Sequence, residues 1–582
     1  MKAWIRAAVI GTLVIAGCDS GGGGGGTPGN GGATAGTTGV AGSAAGSSGA
    51  AGAAGAAAGA GGSTTGAAGS TPGTAGSTSG AGGSTTGAAG TGGPAGAGGR
   101  GGSAGAGAAA GAGAGGRGGG AGAAGRGGAA GGAVAGATGS AGAGAGDAYV
   151  SGVMVTVHPN TTTILNVSWT QAMAAETTRL EFSFAGSTVM SSHTKPGTTG
   201  AHRDVVLGVP ASTAVTVRIV SRQGGVDYKT RDYTGTTGAI PTGMPVPMIL
   251  AYDAAGASPE RYMFGSVENS TGGCTNRNCY FDGLFWVYIM DRQGRIVWYY
   301  SDASSNAATG FQRIARDGEY IWIERSRTGT RGVTKMTLDR QYFQQINGIN
   351  IGDAIDVTTD GSLLYENNGD LHERNKAGTD RMIWSCHTAF GASYNCYSNA
   401  VNWNPADDTV LLSFPEPNTV AQINRATGAL VATYGDRAGS YTFMPTTWSL
   451  EWQHFPNISA AGTLMVSSHL PMFPEGSAAG PMQHAFIEFE IDRTNKRLVE
   501  KWSYSAGTEW PLSRGMAIKL PNGNVLGNYG TGGAIREITP DKRTVFHVKF
   551  DVATGSDYAN KMVGHNVLVD DLYLMNGGGP PP

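Results

Sequence analysis

The chain has 582 residues and a near-neutral formal charge of −2, and 101 of its residues are glycine. It contains no long basic run, so the charge pattern does not favour a nucleic acid as partner. Beyond the first residues, no apolar segment is long enough to cross a membrane.

The N-terminal residues have the pattern of an export signal. Lys2 and Arg6 precede the apolar stretch AAVIGTLVIAG, which is shorter than the roughly 20 residues that span a bilayer. The ending VIAGC resembles the bacterial lipobox, whose cysteine becomes lipidated. We therefore predict a lipoprotein signal peptide over residues 1–18 and a lipid on Cys18, which would anchor an exported protein to a bacterial membrane, in the periplasm or at the cell surface. The alternative is an ordinary secretory signal with a chance cysteine.

Residues 19–147 consist almost entirely of Gly, Ala, Ser and Thr. Such a segment cannot bury enough apolar surface to offset the entropy of ordering it, so we predict a disordered tether. A flexible chain of this length would hold the rest of the protein on the order of 60 Å from the membrane.

Short strand patterns fill residues 148–240 and predict a small β-sandwich. In TTTILNVSWT, period-two alternation puts Leu165, Val167 and Trp169 on one face. The segment VLGVPASTAVTVRIVSR resembles a fibronectin type III hallmark, although Val215 stands where that motif has an aromatic residue. We interpret this domain as a spacer or packing domain.

A strand-turn-strand unit recurs six times in the remainder, residues 241–582. Each copy has an apolar or alternating strand, a polar turn with Gly or Asp, and a second strand. The copies lie at 284–302, 313–345, 355–385, 400–434, 454–504 and 516–550. Radial repeats of short strands are typical of a β-propeller, so six copies predict six blades and an all-β protein.

The turns of these copies strengthen the strand assignment. Gly294, Gly361, Gly428 and Gly523 stand at turns where tight hairpins need positive φ. Tryptophans follow such runs at similar places, and we expect them to pack between blades rather than take part in chemistry. They are Trp298, Trp384 and Trp502.

The cysteines other than Cys18 form two local pairs. Cys274 and Cys279 lie in CTNRNC, and Cys386 and Cys396 lie in CHTAFGASYNC. In an oxidising compartment, two disulfides are the economical assignment. A metal site with His387 as a further ligand is the alternative, but the spacings match no zinc pattern. We predict no metal and no cofactor.

Several phrases, in this order, resemble the bacterial arylsulfotransferase family (arylsulfate sulfotransferases). They are YIMDRQGRIVWYY, VNWNPADDTVLLS, INRATGALVATYGD, WQH and LPNGNVL. The resemblance covers about residues 150–550. It implies an exported enzyme that moves a sulfuryl group from a phenolic ester to another phenol through a histidine nucleophile, without a nucleotide donor such as 3'-phosphoadenosine-phosphosulfate.

The resemblance also implies site residues. The family's nucleophile stands in a Gln-His phrase, which matches His454 here. Its His-x-Asn-Ser phrase corresponds to a segment that keeps Asn399 but has Tyr397 in place of the histidine. Ser513 and Arg514 stand near the family's final hydroxyl-bearing site residue.

Other family positions differ. The His-Asp phrase that opens a blade keeps only its acid, Asp356, a candidate for substrate binding. The family arginine that holds the sulfuryl oxygens aligns with Leu412 and Ser413, so Arg514 is the candidate for the missing cation. Loss of one positioned donor costs about 10² to 10³ in rate.

Two functions therefore stay open from the sequence. The first is the transferase, acting on a small phenolic or aryl sulfate ligand. The second is a catalytically inactive propeller that serves as a surface binding or adhesion module for glycans, phenolics or another surface protein. Most other histidines, including His469 and His484, have no partner at a recognisable spacing and are interpreted as structural or surface residues. His565 would approach the channel if a terminal strand closes the first blade.

Overall fold

Antiparallel strands make up almost all of the regular structure in this computed structural model. The structure describes residues 143–269, 284–301, 314–325, 332–352, 354–446, 449–469, 484–505, 514–550 and 561–577. Cys18, Cys274 and Cys279, and nearly all of the predicted tether, lie outside these ranges. In the described part, no helix is long and apolar enough to span a membrane.

Nine strands form two sheets that share one core. They are β1 (Val150–Val157), β2 (Leu165–Gln171), β3 (Ala175–Phe184), β4 (Met190–Ser191), β5 (Lys195–Gly197), β6 (Gly200–Val206), β7 (Ala214–Gln223), β8 (Val226–Lys229) and β9 (Tyr233–Thr236). One sheet has the order β1-β2-β6, and the other has the order β4-β3-β7-β8, with β5 on β3 and β9 on β7. The face of β2 that alternation predicted to be apolar, formed by Leu165, Val167 and Trp169, is buried between them.

Twenty-six further strands follow in the described ranges. They are β10 (Pro247–Tyr252), β11 (Tyr262–Asn269), β12 (Leu284–Asp291), β13 (Ile296–Tyr300), β14 (Ile314–Arg316), β15 (Ile321–Arg325), β16 (Gly332–Met336), β17 (Phe343–Asn347), β18 (Ile355–Val357), β19 (Leu363–Asn367), β20 (Asp370–Arg374), β21 (Asp380–Trp384), β22 (Ala400–Asn404), β23 (Thr409–Phe414), β24 (Thr419–Asn424), β25 (Leu430–Gly435), β26 (Thr442–Met444), β27 (His454–Ile458), β28 (Leu464–His469), β29 (His484–Asp492), β30 (Arg497–Tyr504), β31 (Met516–Lys519), β32 (Val525–Asn528), β33 (Ala534–Ile538), β34 (Thr544–Phe550) and β35 (Val563–Val569). The helix α1 (Cys386–Phe390) and 3₁₀ turns at Ala145–Ala148, Gly530–Gly532 and Leu572–Asn576 complete the regular elements.

These strands form six sheets, which we number I to VI. Sheet I has the order β13-β12-β11-β35, and sheets II, III and IV each hold four consecutive strands, beginning at β14, β18 and β22. Sheet V has the order β26-β30-β29-β28-β27, and sheet VI has the order β10-β34-β33-β32-β31. The last strand of the chain thus pairs with β11, and β10 adds a fifth strand to sheet VI.

Apolar side chains join each sheet to the next. Each of these pairs belongs to one buried cluster: Trp298 with Ile321, Trp322 with Leu363, Trp384 with Leu412, Leu411 with Val466, Phe486 with Val525, and Phe550 with Tyr288. The last pair joins sheet VI back to sheet I. Sheet I also packs on the two N-terminal sheets, where the hydroxyl of Tyr573 donates to the Val205 carbonyl at 2.9 Å.

Local sequence expectations in this part are confirmed. Gly294, Gly361, Gly428 and Gly523 all have positive φ, between 71° and 89°. The three tryptophans singled out by the repeat, at positions 298, 384 and 502, are buried between sheets. Cys386 and Cys396 form a disulfide.

A buried ion pair closes sheet VI onto sheet I. The guanidinium of Arg292 donates to the carboxylate of Glu537 at 2.6 Å, and their side chains are 6% and 0% exposed. Ser258 and Asn524 also donate to this carboxylate. A buried pair of this kind contributes little net energy when complete, but loss of one partner is costly because the other charge stays buried.

We expect Glu537→Gln to lower the free energy of unfolding by about 3 kcal/mol, since it leaves Arg292 without a compensating charge. Urea unfolding of the full chain measures the change. Asp570→Asn is the matched control, because the Asp570–Arg261 pair is 62% and 52% exposed and should contribute little. Equal unfolding midpoints for the two variants would contradict this prediction.

Candidate functional site

In sheets II to VI, one edge strand lies beside the edge strand of the neighbouring sheet. We call β14, β18, β22, β27, β31 and β35 the inner strands. Contacts join β14 to β18, β18 to β22, β22 to β27 and β27 to β31, while β35 lies beside β32 of sheet VI. His454, the predicted nucleophile, is the first residue of β27 and is half-buried.

The hydrogen bonds of His454 determine its tautomer. Its Nδ1 atom lies 2.8 Å from the Trp452 carbonyl oxygen, which can only accept. The backbone N–H of Arg514 donates to Nε2 at 3.1 Å. Nδ1 therefore carries the proton, and Nε2 carries a lone pair on a neutral ring. Two residues that the sequence predicts for the site, His454 and Arg514, are thus in direct contact.

The backbone around this histidine is strained. Trp452, Phe455 and Arg514 have φ of 47°, 49° and 63°, values that residues other than glycine rarely adopt. The pairing of β27 with β28 also shifts register between His454 and Asn457. Bulges and strained residues of this kind concentrate at functional sites, where they aim a particular side chain.

Gln453 fixes the start of β27 to sheet IV. Its side chain is fully buried, and its amide donates to the Phe414 carbonyl at 2.9 Å and to Ser413 Oγ at 3.2 Å. The amide of Asn399, another predicted site residue, donates to the Gln453 carbonyl at 2.9 Å. Asn399 therefore lies next to His454 in the fold and holds the backbone on which His454 is carried.

A second histidine group lies behind His454, and the sequence interpretation missed it. His469 ends β28 and His484 begins β29, where the two are register partners with ring centroids 6.1 Å apart. His484 Nε2 is hydrogen-bonded to Ser467 Oγ at 2.7 Å, and Ser467 is the register partner of His454. The sequence signal for this contact is a pair of histidines, one ending a strand and one beginning the next. It can be recognised only when the register of the two strands is known.

His484 is held neutral by its surroundings. Burial lowers the pKa of His484 well below its ordinary value of 6.5, and positive charge on His469 or His454 lowers it further. The ring is 2% exposed, and in the described ranges its Nδ1 atom has no hydrogen-bond partner. A proton added there would be both desolvated and unpaired.

The segment after Arg514 packs tightly on this group. A Cβ atom on Gly515 would lie 2.2 Å from Ser467 Oγ, so a larger residue at this approach of β28 to the start of β31 would have to displace that hydroxyl. Across the inner strands, the ring of His565 on β35 stands edge-on to Phe455 with centroids 4.3 Å apart. The terminal strand therefore does bring His565 beside β27.

The other predicted site residues lie elsewhere or outside the described ranges. Tyr397 is 48% exposed at the surface. The carboxylate of Asp356 accepts from the backbone N–H groups of Val357 at 2.8 Å and Trp403 at 2.7 Å. Trp403 is four residues after Asn399, which is roughly 13 Å along an extended chain. Ser513 lies outside the described residues.

Comparisons with known proteins give a general likeness. No protein-family model and no curated protein matches the chain. A protein of unknown function from Bacteroides caccae is 13% identical, with 52% of this chain and 98% of that one covered and a TM-score of 0.32. A proposed 6-phosphogluconolactonase from Bacteroides uniformis is 12% identical, with 68% of this chain and 97% of that one covered and a TM-score of 0.31. Virginiamycin B lyase from Staphylococcus aureus is 11% identical, with 40% of this chain and 69% of that one covered and a TM-score of 0.25. TM-scores this low carry no argument. The description of this chain as a propeller-like all-β fold therefore rests on its own sheets.

Gly515→Ala should destabilise the protein by about 1–3 kcal/mol, because the added methyl group collides with Ser467 Oγ. Ser467→Ala removes that oxygen, so the double variant Gly515→Ala/Ser467→Ala should recover part of the loss. A double-mutant cycle of thermal unfolding measures the coupling. Additive effects of the two substitutions would contradict the contact.

Stability should fall in mildly acidic solution because His484 must be neutral in the folded protein. The unfolded chain binds this proton below about pH 6.5, whereas the folded chain, with its lowered pKa at His484, does not. The stability that depends on neutral His484 is therefore complete above about pH 6.5. Below that pH the free energy of unfolding declines, by at most about 1.4 kcal/mol per pH unit from this residue. His484→Gln should show a shallower decline between pH 6.5 and 5 than the parent chain. Parallel curves would contradict the assignment.

Proposed function

We propose that the chain is an exported, membrane-tethered, arylsulfotransferase-like protein that transfers a sulfuryl group between phenolic compounds through His454. One observation carries the proposal. His454 is a neutral histidine at the start of an inner strand, its Nδ1–H is anchored on the Trp452 carbonyl, and its Nε2 lone pair faces away from that anchor. A neutral imidazole held in one tautomer is what a nucleophile at the sulfur atom requires.

The architecture that we propose for this activity is a six-bladed propeller with sheets I to VI as blades. Its support is the cyclic order of the six apolar clusters, in which sheet VI packs against sheet I, and the pairing of β35 with β11. A ring of blades would place the inner strands around a central channel with His454 near one mouth. The two N-terminal sheets would form the fibronectin-III-like β-sandwich.

The proposed reaction has two steps. In the first, Nε2 of His454 forms a bond to sulfur while the bond between sulfur and the aryl oxygen breaks, and a phenolate leaves. In the second, the oxygen of an acceptor phenol attacks the sulfur, its proton is lost to solvent, and the imidazole leaves in its original form. The Trp452 carbonyl accepts from Nδ1–H throughout and so stabilises positive charge on the ring.

Arg514 has a defined part in this scheme. Its backbone N–H occupies Nε2 in the resting site and must give way before the sulfur atom approaches. Once displaced, this N–H lies beside the position of the sulfuryl oxygens, where a backbone donor stabilises developing charge. The strained backbone of Arg514, with φ of 63°, favours such a local rearrangement.

The same contact supports the second candidate, an inactive propeller that binds glycans or phenolics at the surface. In that case the Arg514 N–H permanently caps the Nε2 atom of His454, and the Asn399 amide serves only to hold the backbone. In both functions we propose that a lipid on Cys18 and the tether over residues 19–147 attach the protein to a bacterial membrane.

The full chain should release the chromophore from 4-nitrophenyl sulfate in the presence of a phenol acceptor. His454→Ala should lower this rate by more than about 10³-fold, because the nucleophile is lost. Mass spectrometry of the parent chain quenched during turnover should find one SO₃ group on the peptide that contains His454.

Asn495→Ala is a matched control in the same sheet, since Asn495 lies in the exposed turn between β29 and β30 and its amide donates to Asp492. It should keep most of the activity. Release that survives His454→Ala would remove this residue from the mechanism. No release by the parent chain would favour the binding module.

A further inference from the structure

Two buried asparagines of sheet IV hold the segment that carries His454. The Asn399 amide donates to the Gln453 carbonyl at 2.9 Å. Three residues further along the chain, the Asn402 amide donates to the Pro456 carbonyl at the same distance. Gln453 and Pro456 are also three residues apart, and His454 lies between them. Sheet IV therefore binds β27 at two points, roughly 10 Å apart along an extended chain.

The backbone between these two points is irregular. Phe455 has a φ of 49°, and the pairing of β27 with β28 shifts register between His454 and Asn457. A bulge of this kind takes backbone groups out of the strand pairing. Pro456 has no N–H, so its carbonyl is the one backbone group through which it can be hydrogen-bonded. The bond from Asn402 therefore fixes the C-terminal side of the bulge.

Burial makes this bond costly to lose. The side chain of Asn402 is 5% exposed, and Pro456 is also buried. Without the amide, the Pro456 carbonyl would be left unsatisfied in a place from which water is largely excluded. Strained backbone persists only where its surroundings fix it. Loss of the Asn402 bond should therefore let the backbone around His454 rearrange.

Bonds of this kind also join other neighbouring inner strands. Asn457 donates to the Ala517 carbonyl at 2.7 Å, and Asp356 accepts from the Trp403 N–H. Such bonds can serve to hold two sheets together and do nothing else. The two bonds to β27 differ in position, because they enclose the residue whose ring nitrogen Nδ1 is anchored on the Trp452 carbonyl.

We propose that Asn402 is a positioning residue, which together with Asn399 holds His454 so that Nδ1–H stays on the Trp452 carbonyl. Asn402 acts through the backbone of Pro456. Without it the ring tilts away from its 2.8 Å anchor and exchanges between its two tautomers, so Nε2 carries a lone pair for only part of the time. The catalytic consequence rests on the proposed function, whereas the positioning requires no turnover.

The ring nitrogens of His454 report this positioning directly. In the full chain labelled with ¹⁵N-histidine, long-range ¹H–¹⁵N correlation spectra distinguish protonated from unprotonated ring nitrogens, and the spectrum of His454→Gln identifies the signals of His454. At about pH 7.5, where an ordinary histidine is neutral, the parent chain should show Nδ1 protonated and Nε2 unprotonated. In Asn402→Ala, both nitrogens should move to intermediate shifts. Asn402→Thr, which suits a strand but lacks the amide, should show the same change.

Asn404→Ala is the matched control. Asn404 stands on the same strand, is also 5% exposed and donates to Asp407 of its own hairpin at 2.7 Å. Its replacement should lower the midpoint of thermal unfolding about as much as Asn402→Ala does, because both remove a buried amide bond. It should leave the His454 signals as they are in the parent chain. Parent-like His454 signals in Asn402→Ala and Asn402→Thr would overturn the proposal, as would a parent chain whose His454 is not protonated at Nδ1.

Activity separates this proposal from the transferase. With 4-nitrophenyl sulfate as donor, Asn402→Ala should lower kcat by about tenfold with KM nearly unchanged, because the nucleophile is misplaced while the substrate still binds. A change of tautomer in Asn402→Ala together with no turnover by the parent chain would keep the positioning role and reject the transferase.

Discussion

Apolar packing between successive sheets is the constraint on which the rest of this structure depends. Each of the six sheets buries side chains against the sheet before it and the sheet after it, and Phe550 with Tyr288 joins the last sheet to the first. Large aromatic side chains carry much of the buried area in such contacts. Because the sheets must stand side by side, their inner strands must do so as well. Residues as distant in sequence as His454 and Arg514 meet for this reason.

The start of β27 shows how this packing maintains a strained site. Positive φ at a residue other than glycine costs of order 1 kcal/mol or more, and it persists only where the surroundings fix the backbone. Gln453 supplies that fixation, since its buried amide donates to sheet IV while its carbonyl accepts from Asn399. Trp452 is held in turn through its N–H, which donates to Asn418 Oδ1 at 3.2 Å. The ring of His454 is thereby aimed by groups that have no direct contact with it.

The parts of this fold that the sequence predicts are those encoded within a few residues. The hairpin glycine at 361 and the Cys386–Cys396 pair need only their neighbours to be recognised. Strand β10 was missed because its partner, β34, lies at the other end of the chain, and β11 has a similarly distant partner in β35 besides its neighbour β12. The contact of His484 with Ser467 was missed for a related reason, since it depends on the register of three strands. The family phrase could indicate His454. It could not indicate that the side chain of Asn399 is hydrogen-bonded to a backbone carbonyl.

The division of charge in this region follows from the same packing. The rings of His454, His469 and His484 lie close enough that positive charge on either of the first two lowers the pKa of His484, and such repulsion is mutual. Burial reinforces the effect, so His484 is stable in its neutral form. In the reaction that we propose, the imidazole of His454 must also be neutral before it attacks, which is the form that its hydrogen bonds fix. In the function that we propose, the donors that meet an anionic ligand must then come from groups other than these rings. The backbone N–H of Arg514 beside His454 is one such group.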